Sequence, residues 1–196
     1  MPPIDPHFEI VPGSIAHTTI QHGGQLPKPP IMVVMFDISY SMDERDATLH
    51  GRTVSRYEAG VAQLKELQAK HPGQIAIIAF GDEATVCPGG VPPEPNGWTM
   101  LYLALEKARE ADTGAMKFVI ISDGLPQQGD LAKREAEQFS VPIDVIYVGR
   151  DERGEEFMRD FAHGTGGTFY TDTSTMLLTA TISKLLTDSA GPIVVE

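Results

Sequence analysis

Six apolar residues, Ile31-Met32-Val33-Val34-Met35-Phe36, end abruptly in Asp37, and two alternate serines follow, Ser39 and Ser41. An apolar run this short, built of branched and bulky side chains, suits a strand covered on both faces, the central position of a parallel sheet. The polar residues begin where the strand stops. Open α/β sheets bind ligands outside the carboxyl ends of their strands, so Asp37, Ser39 and Ser41 stand where a site is expected. If the backbone stays extended, residues 37, 39 and 41 point the same way.

The same alternation of buried strand and helix continues down the chain. Ser55 followed by Glu58 resembles a capping box, and Tyr57, Gly60, Val61, Leu64 and Leu67 share one face of the helix it would start. His71-Pro72-Gly73 ends that helix near Lys70. Residues 74–80 (QIAIIAF) predict a second buried strand, with residues 84–87 pairing beside it. Trp98-Thr99-Met100 leads into a helix through Arg109. Residues 117–122 (KFVIIS) predict a third strand, which ends in Asp123 and Gly124. Helices are expected at 131–139, 155–162 and 174–187, and strands at 142–148 and 167–171; residues 43–52 read as a polar loop. This order implies an α/β fold, a mostly parallel sheet with helices on both faces and right-handed crossovers.

A chain of 196 residues is long enough for one well-buried domain and short for two. Residues 1–30 carry seven of its prolines and read as an extension with at most a short edge strand at 17–20. His7, His17 and His22 lie there at spacings that match no zinc pattern. The net charge of -12 argues against nucleic acid or an anionic membrane surface as partner, because either would repel the chain. The one cysteine, Cys87, cannot form an internal disulfide; it reads as a packed thiol, and a reducing, cytoplasmic setting is expected. No apolar run approaches the roughly 20 residues that cross a bilayer.

Two carboxylates, Asp37 and Asp123, and three hydroxyls, Ser39, Ser41 and Thr99, are the candidate site. With no histidine or cysteine among them the set is hard, and it suits Mg²⁺ or Mn²⁺ rather than zinc or copper. Two carboxylates just offset a divalent cation, which would stay electrophilic toward an outside anion. Each aspartate precedes a loop that enters a helix, so capping is the competing account of both, and turn satisfaction that of the serines. Asp82, Glu83 and the acidic run at 151–156 read as solvated surface. His163-Gly164-Thr165-Gly166-Gly167 follows a helix and precedes a strand, the reverse of a phosphate-cradling loop, and reads as a turn.

These residues carry a resemblance. Asp37-Ile38-Ser39-Tyr40-Ser41 matches the DxSxS motif of von Willebrand factor A (vWA) domains, the family that includes integrin inserted domains. Asn96 to Tyr102 resembles the family's glycine-threonine loop, and Ile121-Ser122-Asp123-Gly124 its strand-ending SDG segment. Residues 79–86, 141–149 and 157–170 agree in order, so the similarity runs from about residue 31 to 186. It implies a Rossmann-like vWA domain over residues 31–190, with a tail at 191–196. It also implies a metal-ion-dependent adhesion site (MIDAS), with Ser39, Ser41 and Thr99 as direct ligands and Asp37 and Asp123 acting directly or through water. The expected activity is non-enzymatic binding, through the ion, of a protein partner that presents an Asp or Glu. Relatives often work beside an ATPase or within a larger assembly, and in some of them the last helix shifts on binding. Tyr40 and Trp98 stand where many relatives carry glycine; with Gly124 they are the expected partner-contact residues.

Rival functions are weaker on the same residues. A phosphohydrolase of the haloacid dehalogenase type needs a second aspartate two residues after the first, where this chain has Ser39, and no lysine or histidine lies in the motif loops. No G-x-S-x-G elbow supports a serine hydrolase. A metal-free scaffolding domain is the third alternative.

Overall fold

The computed structural model describes residues 31–171. The extension over residues 1–30, the helix expected at 174–187 and the tail at 191–196 fall outside the described residues. A six-stranded sheet forms the centre, in the order β5-β4-β1-β6-β7-β8. The strands are β1 (Met32–Asp37), β4 (Ile75–Phe80), β5 (Ala84–Val86), β6 (Lys117–Ser122), β7 (Ile143–Tyr147) and β8 (Phe169–Thr171). All pairings are parallel except that of β4 with β5. The expected α/β class is the observed one.

Every residue of β1 is buried, the apolar run Met32–Phe36 as its composition predicts and Asp37 at its end with it. Its side chains alternate between two cores. Met32, Val34 and Phe36 meet Leu64 and Leu67 of helix α1 (Arg56–Lys70) on one face. Val33 and Met35 lie in the opposite core with α2 (Leu101–Arg109), α3 (Gly129–Ala136) and α4 (Glu152–Gly164). Each such side chain contributes on the order of 1.5–3 kcal/mol by leaving water. The central position of β1 and its hydrophobicity have one cause, cover on both faces.

The chain leaves β1, crosses through α1 to β4 on one side, and returns through α2 to β6 on the other. The order therefore reverses between β1 and β6, and a crevice opens beyond their carboxyl ends. Asp37 closes β1 and Asp123 directly follows β6. The candidate carboxylates flank the switch point.

Local signals held at the helices. Ser55 accepts from the Glu58 N–H and the Glu58 carboxylate accepts from the Ser55 N–H, so the capping box is complete. Two helices depart from the expected bounds: α3 starts and ends earlier than 131–139, and α4 is longer than 155–162 because Asp151 caps it by accepting from the Gly154 N–H. The expected polar loop at 43–52 holds a hairpin, β2 (Ala47–Leu49) with β3 (Arg52–Val54), turning at His50 and Gly51 with both φ angles positive. Its three-residue strands are too short to show the alternation that marks a strand. No helix of the described residues is long and apolar enough to cross a membrane.

Candidate cation and partner site

Three loops meet at the switch point, and backbone hydrogen bonds lock them together. The Asn96 N–H donates to the Ile38 carbonyl at 2.6 Å and the Tyr40 N–H to the Gly97 carbonyl at 3.0 Å, joining the β1 loop to the loop before α2. The Gln127 N–H donates to the Thr99 carbonyl at 2.9 Å, joining the latter to the loop after β6. Gly97 has φ +83, and a Cβ there would fall 2.3 Å from Asp82 Cγ, so the tight turn into Thr99 needs glycine. Asp82 accepts from the Trp98 N–H at 2.9 Å. This aspartate shapes the loop, a role its sequence context as plain surface did not reveal.

Within this frame the five oxygen-bearing side chains gather. Asp37 is fully buried; its Oδ1 accepts from the Ser39 N–H at 2.7 Å and its Oδ2 from the Ser122 hydroxyl at 2.6 Å. Ser39 and Ser41 hydroxyls lie 3.1 Å apart, and Ser41 donates to Asp123 Oδ1 at 2.7 Å. Their convergence has a different cause from the one expected. The backbone is extended only to Ser39 and then enters a 3-10 turn over Tyr40–Asp43, which swings Ser41 back toward Ser39. Thr99 is buried, and its hydroxyl borders Gly124: a Cβ built there would stand 3.6 Å from Thr99 Oγ1 and 3.7 Å from Ser41 Oγ. Neither aspartate caps a helix; Ser39 precedes the 3-10 turn and Gln128 precedes α3.

Electrostatics set the site apart from the remaining core. Burial, and then the charge of Asp123, push the Asp37 carboxyl up to about 7. Burial also raises Asp123, against hydrogen bonds from Arg56 and Ser41 that favour its charge. Two acids held together out of water, with the hydroxyls of Ser39, Ser41 and Thr99 beside them, form an oxygen donor set that fits a hard divalent cation. Among the described residues no group of three or more His, Cys, Asp or Glu is placed to hold a metal, so hydroxyls are integral to this set.

Arg56 is the residue that motif reading missed. At the first position of α1 it is buried, and its Nη1 lies 2.7 Å from Asp123 Oδ2. Its other nitrogens reach Asp46 at 2.7 Å and 2.9 Å and Glu44 at 2.8 Å, while Arg150 pairs with Asp46 at 3.1 Å. Burial disfavours the guanidinium charge, but the hydrogen bonds to Asp46 and Asp123 more than offset that. A signal was present: an arginine in a helix's first turn opposes the helix dipole, and such a position calls for nearby acids. Asp151, exposed as expected, also borders the crevice.

Tyr40 and Trp98 project from the rim, 63% and 61% exposed, and Leu125 beside Gly124 is also exposed. Tyr40 is steadied by its hydroxyl, which donates to Asn96 Oδ1 at 3.1 Å. Neither aromatic is packed under a neighbouring loop of the described residues. Cys87 is buried, and burial raises its thiol, as a packed cysteine requires.

The fold defines the class: an α/β, Rossmann-like sheet of the von Willebrand factor A type. The SpRpn10 VWA domain superposes with a TM-score of 0.52 at 17% identity, over 80% of this chain and 95% of that one. A conserved hypothetical protein, BatB from Bacteroides thetaiotaomicron, gives 0.60 at 18% identity, over 81% of this chain and 98% of that one. The D319A mutant of the PilB minor pilin from Streptococcus sanguinis gives 0.58 at 14% identity, over 84% of this chain and 64% of that one. The chain matches no protein-family model and no curated protein.

Proposed function

We propose that this chain is a protein-interaction module that binds a carboxylate of a protein partner through a divalent cation, Mg²⁺ or Mn²⁺, at a MIDAS. The observation that carries it is the meeting of Asp37, Ser39, Ser41, Thr99 and Asp123 from three loops at the sheet's switch point. Ser39, Ser41 and Thr99 would hold the ion directly, with the two aspartates direct or through water. The ion would supply an electrophile with a free position for an outside oxygen. Around it, Tyr40, Trp98 and Gly124 form the partner-facing rim, and the exposed aromatics suit contact with a protein surface.

The module is not an enzyme on this reading. The position two residues after Asp37, where a phosphohydrolase keeps its acid and base, is Ser39, and the nearby arginines Arg56 and Arg150 are paired with acids. On this reading the partner is an acid-presenting protein in a cytoplasmic setting, and an assembly with an ATPase is one context in which it would be met. Affinity capture with the full chain, with and without chelator and against Asp37→Ala, tests this. A shared set of captured proteins lost in chelator and in the variant is expected; capture indifferent to both overturns it. Turnover of a generic phosphate ester that Asp37→Asn abolishes would move the chain to the phosphohydrolases.

A further inference from the structure

Arg56 changes the charge count at this site. From the motifs alone, Asp37 and Asp123 together balance a divalent ion. In the folded chain Asp123 is already paired: Arg56 Nη1 holds Oδ2 at 2.7 Å and the Ser41 hydroxyl holds Oδ1 at 2.7 Å. Asp46 is shared between Arg56 and Arg150, and Glu44, the remaining acid on Arg56, is largely in solvent. Among the described residues, Asp37 is thus the buried carboxylate with no cationic partner, held by Ser39 and Ser122.

We infer that Arg56 is a positioning residue that couples the cation to the partner: by holding Asp123 Oδ2 it opposes loading of the ion alone, and an incoming carboxylate relieves the repulsion between the ion and the guanidinium. A guanidinium one carboxylate away from a dication repels it, and burial of the Arg56–Asp123 pair weakens the screening by water. The same guanidinium attracts the anion that completes the ion's shell. Cation and carboxylate then bind cooperatively, and by linkage each raises the affinity for the other by the same factor. This rests on the metal-bridged function proposed above.

The test uses Mn²⁺ titrations of the full chain and of Arg56→Gln, in chloride and in acetate at equal ionic strength, acetate serving as the carboxylate probe. Arg56→Gln is expected to tighten Mn²⁺ binding in chloride about tenfold, which is 1.4 kcal/mol, and to reduce the gain that acetate gives the parent. Equal or weaker Mn²⁺ binding by Arg56→Gln, with binding by the parent intact, overturns the coupling role and spares the metal site. No Mn²⁺ binding by either protein overturns both. Removing Arg56 strips a buried pair, so the melting temperature of each protein is also followed as Mn²⁺ is added. A larger Mn²⁺-induced rise in Arg56→Gln than in the parent supports the coupling, even if the variant folds only with the ion; a smaller rise, or a variant that stays unfolded with Mn²⁺, counts against it. Arg56→Lys keeps the charge and should retain the parent's acetate gain; loss of that gain in the lysine variant overturns the assignment to charge.

Discussion

The Ser41 hydroxyl donates to Asp123 Oδ1 at 2.7 Å, across 82 positions of the chain. That bond ties the loop after the central strand to the loop after its neighbour, and it places a hydroxyl and a carboxylate from different loops within one coordination radius. Four outcomes follow from this arrangement of oxygens and its rim.

Asp37 holds its proton up to about pH 7, against an ordinary 3.8, because it is buried beside Asp123. Without a cation, the folded chain keeps a proton that the unfolded chain has released between about pH 4 and pH 7. This group's contribution to stability is therefore greatest at the acid end and falls as pH rises, by about 1.4 kcal/mol per pH unit inside the window. Asp37→Asn keeps an acceptor for the Ser39 N–H and removes the titration. In chelator, the melting temperature of the variant should overtake the parent's between about pH 5 and pH 8. Parallel melting curves at all pH values would mean that Asp37 is ionised throughout.

Gly124→Ala adds a methyl in ordinary contact with Thr99 Oγ1 and Ser41 Oγ, with no clash against backbone. Stability should change by less than about 1 kcal/mol. Calorimetric titration with Mg²⁺ should show cation affinity reduced about tenfold or more, because the methyl takes space in front of two ligand oxygens. Unaltered affinity would place the ion elsewhere.

Trp98 is largely exposed and its backbone, not its ring, is what Asp82 holds. Trp98→Ala should leave melting within about 0.5 kcal/mol of the parent and cation binding unchanged. Partner affinity in a pull-down or surface-binding assay should fall about tenfold or more. Equal partner affinity would remove Trp98 from the contact surface.

Gly97→Ala meets two obstacles, a positive φ and a Cβ 2.3 Å from Asp82 Cγ. Chemical denaturation should show a loss of about 1–3 kcal/mol. Cation affinity should fall with it, since the turn aims Thr99. A variant as stable as the parent would mean that the loop adopts another course.

Much of this was legible in the residues. Met32 to Phe36 read as a doubly covered strand because one-dimensional hydrophobicity reports burial directly, and β1 is buried throughout. Lys117 to Ser122 was placed to the residue, and Ser55 with Glu58 marked the start of α1, because strand cores and capping boxes are local chemistry. The hairpin at residues 47–54 escaped notice, since three-residue strands have too little pattern to show. Asp82 and Asp151 are exposed, as their context predicts; Asp151 also caps α4 locally, while the Trp98 N–H that Asp82 accepts from is 16 positions away and only the folded loop brings it near.

The site divides along the same line. The order of strands and motifs determined which oxygens arrive at the switch point, because the carboxyl ends of β1 and β6 are adjacent in any sheet wound this way. How Ser41 turns toward Ser39, and that Arg56 faces Asp123, was decided by tertiary structure: a 3-10 turn reverses the extended direction, and the approach of α1 carries a buried arginine onto a carboxylate 67 positions away. Charge balance is a property of distances in space, and spacing along the chain does not contain it.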